Sequence, residues 1–484
     1  MIVQPEKDIA NLFLAWSGNE SDSIQPIAAS GSPRKYFRIQ FGDRSVIGAY
    51  NPDLKENEAF ISFTKHFRAA GLPVPEILAS EDKKGIYLLS DLGSRDLFEM
   101  IMARKSLDDI PDELYQHLAA SVRMLPHFQI NGGKGLDYNM CYPRSVFDQQ
   151  SMLWDMNYFK YYILKTAGIT FNEQLLENDF QRFAEFLCQA GNEHFMYRDF
   201  QSRNVMIKDE KPYFIDYQGG RKGPLQYDLA SFLYQVKARF PEEVREQLIE
   251  EYLEELAKVN TVDRDVFMKY FYPFVYLRLF QVLGSYGFRG LFEKRPHFAE
   301  SLEPAMAVLA RLLNAHPLEP ELTELKSTLR KLTQSSKYLP VHHQKSDLSV
   351  GISSFSYKAG LPDDPSGNGG GFIFDCRALP NPGRLEKYRE QTGRDKEVID
   401  YLKRYREVDK FLFNIFEICD SAVENYIERG FKNLSINFGC TGGQHRSVYC
   451  ADKLAEHLAN KYVIHINLHH REQKITENRK ASHE

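Results

Sequence analysis

Short alternating runs open the chain. Tyr36-Phe37-Arg38-Ile39-Gln40-Phe41 and Ser45-Val46-Ile47 flank Gly42-Asp43, a hairpin signal inside a strand-rich stretch from Ile24 to Leu92. Between Glu56 and Ala70 the period changes. Ala59, Phe63, Phe67 and Ala70 recur at three- and four-residue steps, which predicts an amphipathic helix stopped by Gly71 and Pro73. Ile86-Tyr87-Leu88-Leu89 predicts a buried strand leading into Ser90-Asp91-Leu92-Gly93, so residues 1–92 read as a small sheet lobe. Helical periodicity then dominates residues 93–315, at Leu114–Phe128, Phe180–Cys188, Pro241–Val259 and Phe267–Leu283, around short strands carrying Asp199 and Asp216. The polar stretch 316–347, with Gln334-Ser335-Ser336-Lys337, reads as a linker. Beyond it, strands at Leu348–Ser356, Gly371–Leu379, Asn433–Gly439 and Tyr462–Leu468 alternate with helices at Asp395–Arg406, Asp409–Arg429 and Gln444–Leu458. Such alternation over 348–484 predicts a smaller α/β domain with a mostly parallel sheet, its first two strands joined by a flexible loop at 363–370.

A chain of 484 residues exceeds a single core and fits three compact units, or two if one is bilobal. With 43% hydrophobic and 26% charged residues it reads as an ordinary folded protein, and a net charge of -5 gives no global reason to bind nucleic acid. The six cysteines form no Cys-x-x-Cys pair, which argues against zinc and disulfides and fits a reducing cytosol. Met1 to Asp8 carries no basic leader followed by an apolar run, and no stretch is apolar for about eighteen residues, so a cytoplasmic protein without a membrane partner is expected.

The first chemistry-bearing segment is Tyr197-Arg198-Asp199, with Asn204 five residues beyond Asp199 and Asp216 after the apolar run Tyr213-Phe214-Ile215. Phosphoryl transfer needs a carboxylate to take the acceptor proton and oxygen ligands to hold Mg²⁺ on the nucleotide, roles that Asp199, Asn204 and Asp216 can fill. Alone, Asp-x-x-x-x-Asn is as readily a solvated loop; the second strand ending in Asp216 tips the balance. Asp228 reads chiefly as a helix cap that can also brace the loop. A strand lobe followed by a helical lobe with this chemistry at its start gives the expected fold class: an α+β protein-kinase-like bilobal domain, then the smaller α/β domain.

Tyr197 to Asn204, Phe214-Ile215-Asp216-Tyr217-Gln218, Gly223-Pro224 through Ser231, Tyr36-Phe37-Arg38 and Leu88 to Gly93 resemble the aminoglycoside phosphotransferase family, and within it the kinases that phosphorylate N-acetylmuramic acid and N-acetylglucosamine at the C1 hydroxyl. The resemblance spans about residues 20–315. It implies Asp199 as catalytic base, Asn204 and Asp216 as Mg²⁺ ligands, and Leu89, Asp91 and Leu92 in the hinge that holds the adenine of ATP. Gly31 to Arg38 resembles the loop over the phosphates, where Arg34, Lys35 and Arg38 supply charge. Ser45 to Tyr50 lacks the phosphate-pairing lysine usual on that strand, and Arg38 or Lys35 is expected to compensate.

In the C-terminal part, Gly439-Cys440-Thr441-Gly442-Gly443 turns from a strand into a helix whose buried face is Val448, Ala451, Leu454, Ala455 and Leu458. Free N–H groups at such a turn, the helix dipole and Arg446 favour an anion, with His445 and Ser447 as further donors. Five residues separate Cys440 from Arg446, the spacing of cysteine-dependent phosphatases; binding is favoured over hydrolysis because no acid loop is visible. Phe355–Pro362, Phe374 to Pro382, Thr392-Gly393 and Gly439 to Val448 resemble the C-terminal domain of the RNase adapter protein RapZ, over about 348–472. That resemblance implies an amino-sugar phosphate cradled by Thr441, Gly442, Gly443, His445 and Arg446 beside Cys440, with Arg377 and Asn381 facing it. RNA, bound by some members, is the less favoured ligand, because acidic residues dilute the basic tail after Leu468, which reads as solvated. No Gly-x-x-x-x-Gly-Lys-Ser/Thr, the mark of that family's usual nucleotide-binding partner domain, occurs in the chain.

Together these readings predict an ATP- and Mg²⁺-dependent sugar kinase acting on the anomeric hydroxyl of an amino sugar, as in cell-wall recycling, with a C-terminal domain that binds an amino-sugar phosphate. A homo-oligomer is compatible with the sequence. The alternatives are a regulatory adapter with a degenerate kinase half and an RNA- or ligand-binding C-terminal half, or a kinase coupled to a Cys440-dependent phosphatase.

Overall fold

The alternation around Gly42 becomes a hairpin because its turn residue takes φ +55°, which glycine adopts without a Cβ clash. The computed structural model describes residues 4–27, 34–106, 109–335, 346–363, 367 and 371–479; residues 31–33 of the expected phosphate loop, most of the 363–370 loop, positions 336–345 of the expected linker and the tail beyond 479 lie outside them. In the first lobe β1 (Ser23–Ile27), β2 (Lys35–Phe41), β3 (Arg44–Tyr50), β4 (Ile77–Glu81) and β5 (Ile86–Ser90) form an antiparallel sheet in the order β1-β2-β3-β5-β4. A helix at Pro5–Ser17, not among the expected elements, packs Ile9 and Phe13 onto this sheet.

The helix Leu54–Ala69 turns Ala59, Phe63 and Phe67 inward. Its Phe60 stacks on Tyr217 at 5.3 Å, and its Thr64 hydroxyl shares a 2.6 Å hydrogen bond with the Tyr217 hydroxyl, so the aromatic residue following Asp216 ties that loop to the sheet lobe. The helical lobe carries two short antiparallel pairs, β6 (His194–Met196) with β9 (Arg221–Gly223) and, between them in sequence, the hairpin β7 (Val205–Lys208) with β8 (Lys211–Phe214). Around them lie helices at Asp112–Pro126, Glu173–Cys188, Glu242–Val259 and Arg264–Tyr286. The result is the kinase-like bilobal arrangement.

Contacts divide the chain into two compact units: 1–160 with 169–282 and 308–330, and 331–484 with 161–168 and 283–307. Part of the expected linker is a helix, Thr323–Thr333, because Leu322, Leu325, Leu329 and Leu332 form a fully buried stripe that outweighs the polar residues between them. In the second unit β10 (Ser349–Ser356), β11 (Phe372–Asp375), β12 (Asn433–Cys440), β13 (His465–His470) and β14 (Ile475–Arg479) run in the order β11-β12-β10-β13-β14. All pairings are parallel except β13 with β14. β14 corrects the expectation of a solvated tail: Arg479 pairs with Asp452 at 2.5 Å and Glu477 with Arg394 at 2.7 Å, which fastens this edge strand. Among the described residues no helix is long and apolar enough to cross a membrane.

Candidate functional site

In the first unit two positions are strained: Arg198, in the loop between β6 and β7, at φ +78°, and Asp216, beyond β8, at φ +70°. Asp228 braces the first, as its carboxylate accepts the N–H groups of Tyr197 at 2.7 Å and Arg198 at 2.8 Å. The Arg198 guanidinium is spent on structure, with Nη2 2.9 Å from both Asp155 oxygens and Nη1 2.5 Å from the Tyr227 hydroxyl.

Asn204 gathers the predicted trio. Its side-chain amide donates to the Asp199 carbonyl at 2.9 Å and to Asp216 Oδ2 at 3.2 Å. The Asp199 carboxylate keeps nearly half its side-chain surface open, with Arg278 at 3.8 Å and the Gln201 amide at 3.4 Å as neighbours. Burial, and after it the charge of Asp199, pushes the Asp216 carboxyl above the usual range. A buried carboxylate that already resists ionisation, with the Asn204 amide beside it, suits a hard divalent cation such as Mg²⁺.

A buried cation stands just before β2. Arg34, nearly fully buried, places Nη2 3.0 Å from Glu56 Oε1 in the first turn of the helix Leu54–Ala69. The Asn51 amide donates to Glu56 Oε2 at 2.7 Å, and the Gln218 amide donates both to Glu56 Oε1 at 3.2 Å and to Asp216 Oδ1 at 2.7 Å. Arg34 thus connects to the Asp216 carboxylate through Glu56 and Gln218, and its charge favours the ionised form of Asp216. Sequence reasoning missed Glu56 and Gln218: one is an acid on the polar face of a recognised helix, the other sits inside a quoted motif, and neither has a spacing signal.

Arg38, also expected to supply charge, is paired with the segment after β5. It forks onto Asp91 at 2.7 and 3.2 Å and donates to the Gly93 carbonyl at 2.8 Å, while Lys35 is exposed. Burial works against the charge on Asp91, but Arg38, Ser45 and the Gly93 N–H hold its carboxyl below the usual range. Leu89 and Leu92 are buried at the start and end of the same segment, so Arg38 and Asp91 brace the expected hinge.

In the second unit Cys440 ends β12, residues 441–445 turn, and the helix Arg446–Lys461 begins. Gly443 takes φ +64°, and a Cβ there would lie 2.4 Å from Glu472 and 2.8 Å from the Ser356 nitrogen, whereas a Cβ at Gly442 would meet nothing within 4 Å. Thr441 and Gly442 are exposed, and His445 is held by a 2.8 Å contact to the Tyr388 carbonyl. Buried Arg446 donates from Nη1 to the carbonyls of Arg377 at 2.8 Å and Leu379 at 3.1 Å, and Nη2 lies 3.5 Å from Thr441 Oγ1. Arg377 therefore meets the turn through its carbonyl, because its exposed guanidinium is ion-paired with Asp375 at 2.6 Å over the Tyr357 ring. Asn381 caps its own turn by accepting the Gly383 N–H at 3.2 Å, and Gly383 lies against His445.

The first unit thus has a two-lobed, kinase-like fold with Asp199, Asn204 and Asp216 linked through the Asn204 amide, and the second is an α/β domain whose strand–turn–helix lies beside buried Arg446. Residues 23–262 match the phosphotransferase enzyme family and residues 348–474 the RapZ C-terminal domain, so the chain joins members of these two domain families. It is similar to nucleotide-binding proteins of Thermotoga neapolitana, 41% identical over 133 residues that cover 28% of this chain and 46% of the relative, and of Fusobacterium nucleatum, 39% identical over 132 residues covering 27% and 44%. The chain spans less than half the length of these curated relatives. Among solved structures it is similar to the choline kinase LicA from Streptococcus pneumoniae, with a TM-score of 0.43 and 12% identity over 63% of this chain and 99% of that one.

Proposed function

We propose that the chain is an ATP- and Mg²⁺-dependent kinase that phosphorylates a sugar hydroxyl, the anomeric hydroxyl of an N-acetylmuramate- or N-acetylglucosamine-type amino sugar, and that its C-terminal domain binds an amino-sugar phosphate. The supporting observation is the Asn204 amide, which ties the backbone of a solvent-open Asp199 to the carboxylate of Asp216. In this reading Asp199 accepts the proton of the attacking hydroxyl, Asn204 and Asp216 hold the metal, and Arg34, fixed by Glu56, offers its guanidinium to the phosphates. When bound, Mg²⁺ neutralises charge building on the transferring phosphoryl group. The Arg38–Asp91 brace shapes the hinge beside the adenine, and in the second domain the 441–446 turn presents N–H groups and Arg446 to a phosphate.

The test is a panel of hexoses and amino sugars with ATP and Mg²⁺, the product position being fixed by NMR. A C1 phosphate on an amino sugar is the expected result. Phosphorylation elsewhere on the sugar would retire the anomeric assignment, and no ADP formation with any member would retire the sugar-kinase reading.

A further inference from the structure

Four of the six cysteines, Cys141, Cys188, Cys376 and Cys419, are driven by burial above the ordinary thiol range, Cys419 to about 12. Cys440 departs from them. Burial opposes its ionisation too, yet the Ser447 hydroxyl and N–H, Arg446 and the Gly443 N–H outweigh it and bring the thiol below its usual value. The geometry agrees: Sγ lies 3.1 Å from Ser447 Oγ, at the C-terminal end of a strand and under the first turn of a sixteen-residue helix. Arg446 supplies a second observation. It is 5% exposed, its Nη1 is engaged by two carbonyls, and its Nε has no partner among the described residues, while Nη2 reaches only to Thr441 at 3.5 Å. A buried guanidinium with a vacant edge beside an exposed glycine turn is built for a bidentate oxyanion.

We propose that Cys440 is a nucleophile, and that the C-terminal unit removes the phosphoryl group of a sugar phosphate monoester through an S-phosphocysteine. The phosphate-binding part of the proposed function is its premise; the kinase reading is not. With the ester seated on the turn N–H groups and the free edge of Arg446, a lone pair of the Cys440 thiolate forms the S–P bond as the P–O bond to the sugar breaks. The electron pair leaves on the sugar oxygen, which takes the proton carried by the monoanionic phosphate, whose second ionisation lies near about pH 6. Water then forms an O–P bond while the S–P bond breaks, which returns the thiolate and releases inorganic phosphate, the water proton passing to solvent. Ser447 is a positioning residue: it donates to the sulfur and keeps it ionised.

The experiment uses the full chain without ATP. It measures phosphate release from p-nitrophenyl phosphate, whose leaving group needs no proton, and from hexosamine phosphates, with mass spectrometry of acid-quenched protein. The expected result is release above background, with a phosphoryl adduct on Cys440. In Cys440→Ser, shown to be folded by a parent-like melting temperature, release should fall to background and the adduct should be absent. Ser447→Ala should retain release but move the acidic limb of its pH profile upward, a displacement that a packing role alone would not produce. Release undiminished in Cys440→Ser overturns the proposal. So does phosphate stabilisation without release or adduct, which would leave the turn a binding site; absence of phosphate stabilisation would remove the binding premise as well.

Discussion

Arg34 and Glu56 form a buried-to-surface ion pair, Nη2 to Oε1 at 3.0 Å, in which the arginine stands just before β2 rather than on β3. Glu56 also accepts from Gln218, which holds Asp216, so the pair reaches the Asp216 carboxylate, the proposed metal ligand, in two hydrogen bonds. Removing a preorganised donor from a phosphoryl-transfer site commonly reduces kcat by about 10²–10³-fold. Arg34→Ala is therefore expected to lose roughly 10²-fold in kcat/KM for ATP, and Arg34→Lys to recover only part, since an ammonium is a point charge without the guanidinium fork. Steady-state kinetics with varied ATP checks this; unchanged constants in Arg34→Ala would remove the arginine from the nucleotide site.

Asp199→Asn should separate chemistry from folding. The carboxylate is 46% exposed and weakly held, so its loss leaves the melting temperature near that of the parent. An amide cannot take the acceptor proton, and kcat is expected to fall by about 10²–10⁴-fold with KM values little changed. Full activity in the variant would strip Asp199 of its role.

Asp228 gives the first unit a pH signature. Burial pushes its carboxyl up to about 7, against the N–H groups of Tyr197 and Arg198. The folded state therefore holds the proton more tightly than the unfolded chain, where an aspartate titrates at about 3.9. Stability from this group is complete below about pH 4 and is lost as pH rises through about 7. Asp228→Asn cannot ionise. Its melting temperature should be lower throughout, because an amide cannot accept both N–H groups, and the difference from the parent should shrink between pH 4 and 7. A difference independent of pH would contradict the assignment.

The parts of the site legible in the sequence are those held by local spacing. Asp199 and Asn204 share one loop, Asp216 follows the next strand, and Cys440 to Arg446 spans a single turn, so chain geometry alone brings each group together. Asp228 was legible only in part: it was read chiefly as a helix cap, yet it is the third residue of the helix Gln226–Leu233, caps nothing there, and its carboxylate serves the loop at Tyr197 and Arg198. The Arg34–Glu56 pair was not, since it joins a strand's start to a helix's first turn across the lobe, and the empty β3 position drew attention to Arg38, which serves Asp91 instead. In the fold, the stripe Leu325, Leu329, Leu332 carried helical spacing, but the charged residues between them made it read as linker. The tail read as solvated because the partners of Arg479 and Glu477 lie far off in sequence, at Asp452 and Arg394.

The two glycines of the C-terminal turn should respond oppositely to alanine. Gly443 sits at φ +64°, where an L side chain costs about 1–2 kcal/mol, and its Cβ would also stand 2.8 Å from the Ser356 nitrogen, a backbone atom that cannot swing aside. Gly443→Ala should therefore lower the melting temperature of the protein, with phosphate present or absent. At Gly442 an added methyl meets no atom within 4 Å, so folding stability should change by less than about 0.5 kcal/mol. That empty volume lies on the exposed side of the turn, where the N–H groups receive a phosphate in the proposed reading, and the methyl would occupy it. Gly442→Ala is expected to melt with the parent in buffer and to lose most of the stabilisation that inorganic phosphate gives the parent. Melting curves of both variants with and without phosphate decide it: a Gly442→Ala protein stabilised as strongly as the parent would place the anion elsewhere than over this turn.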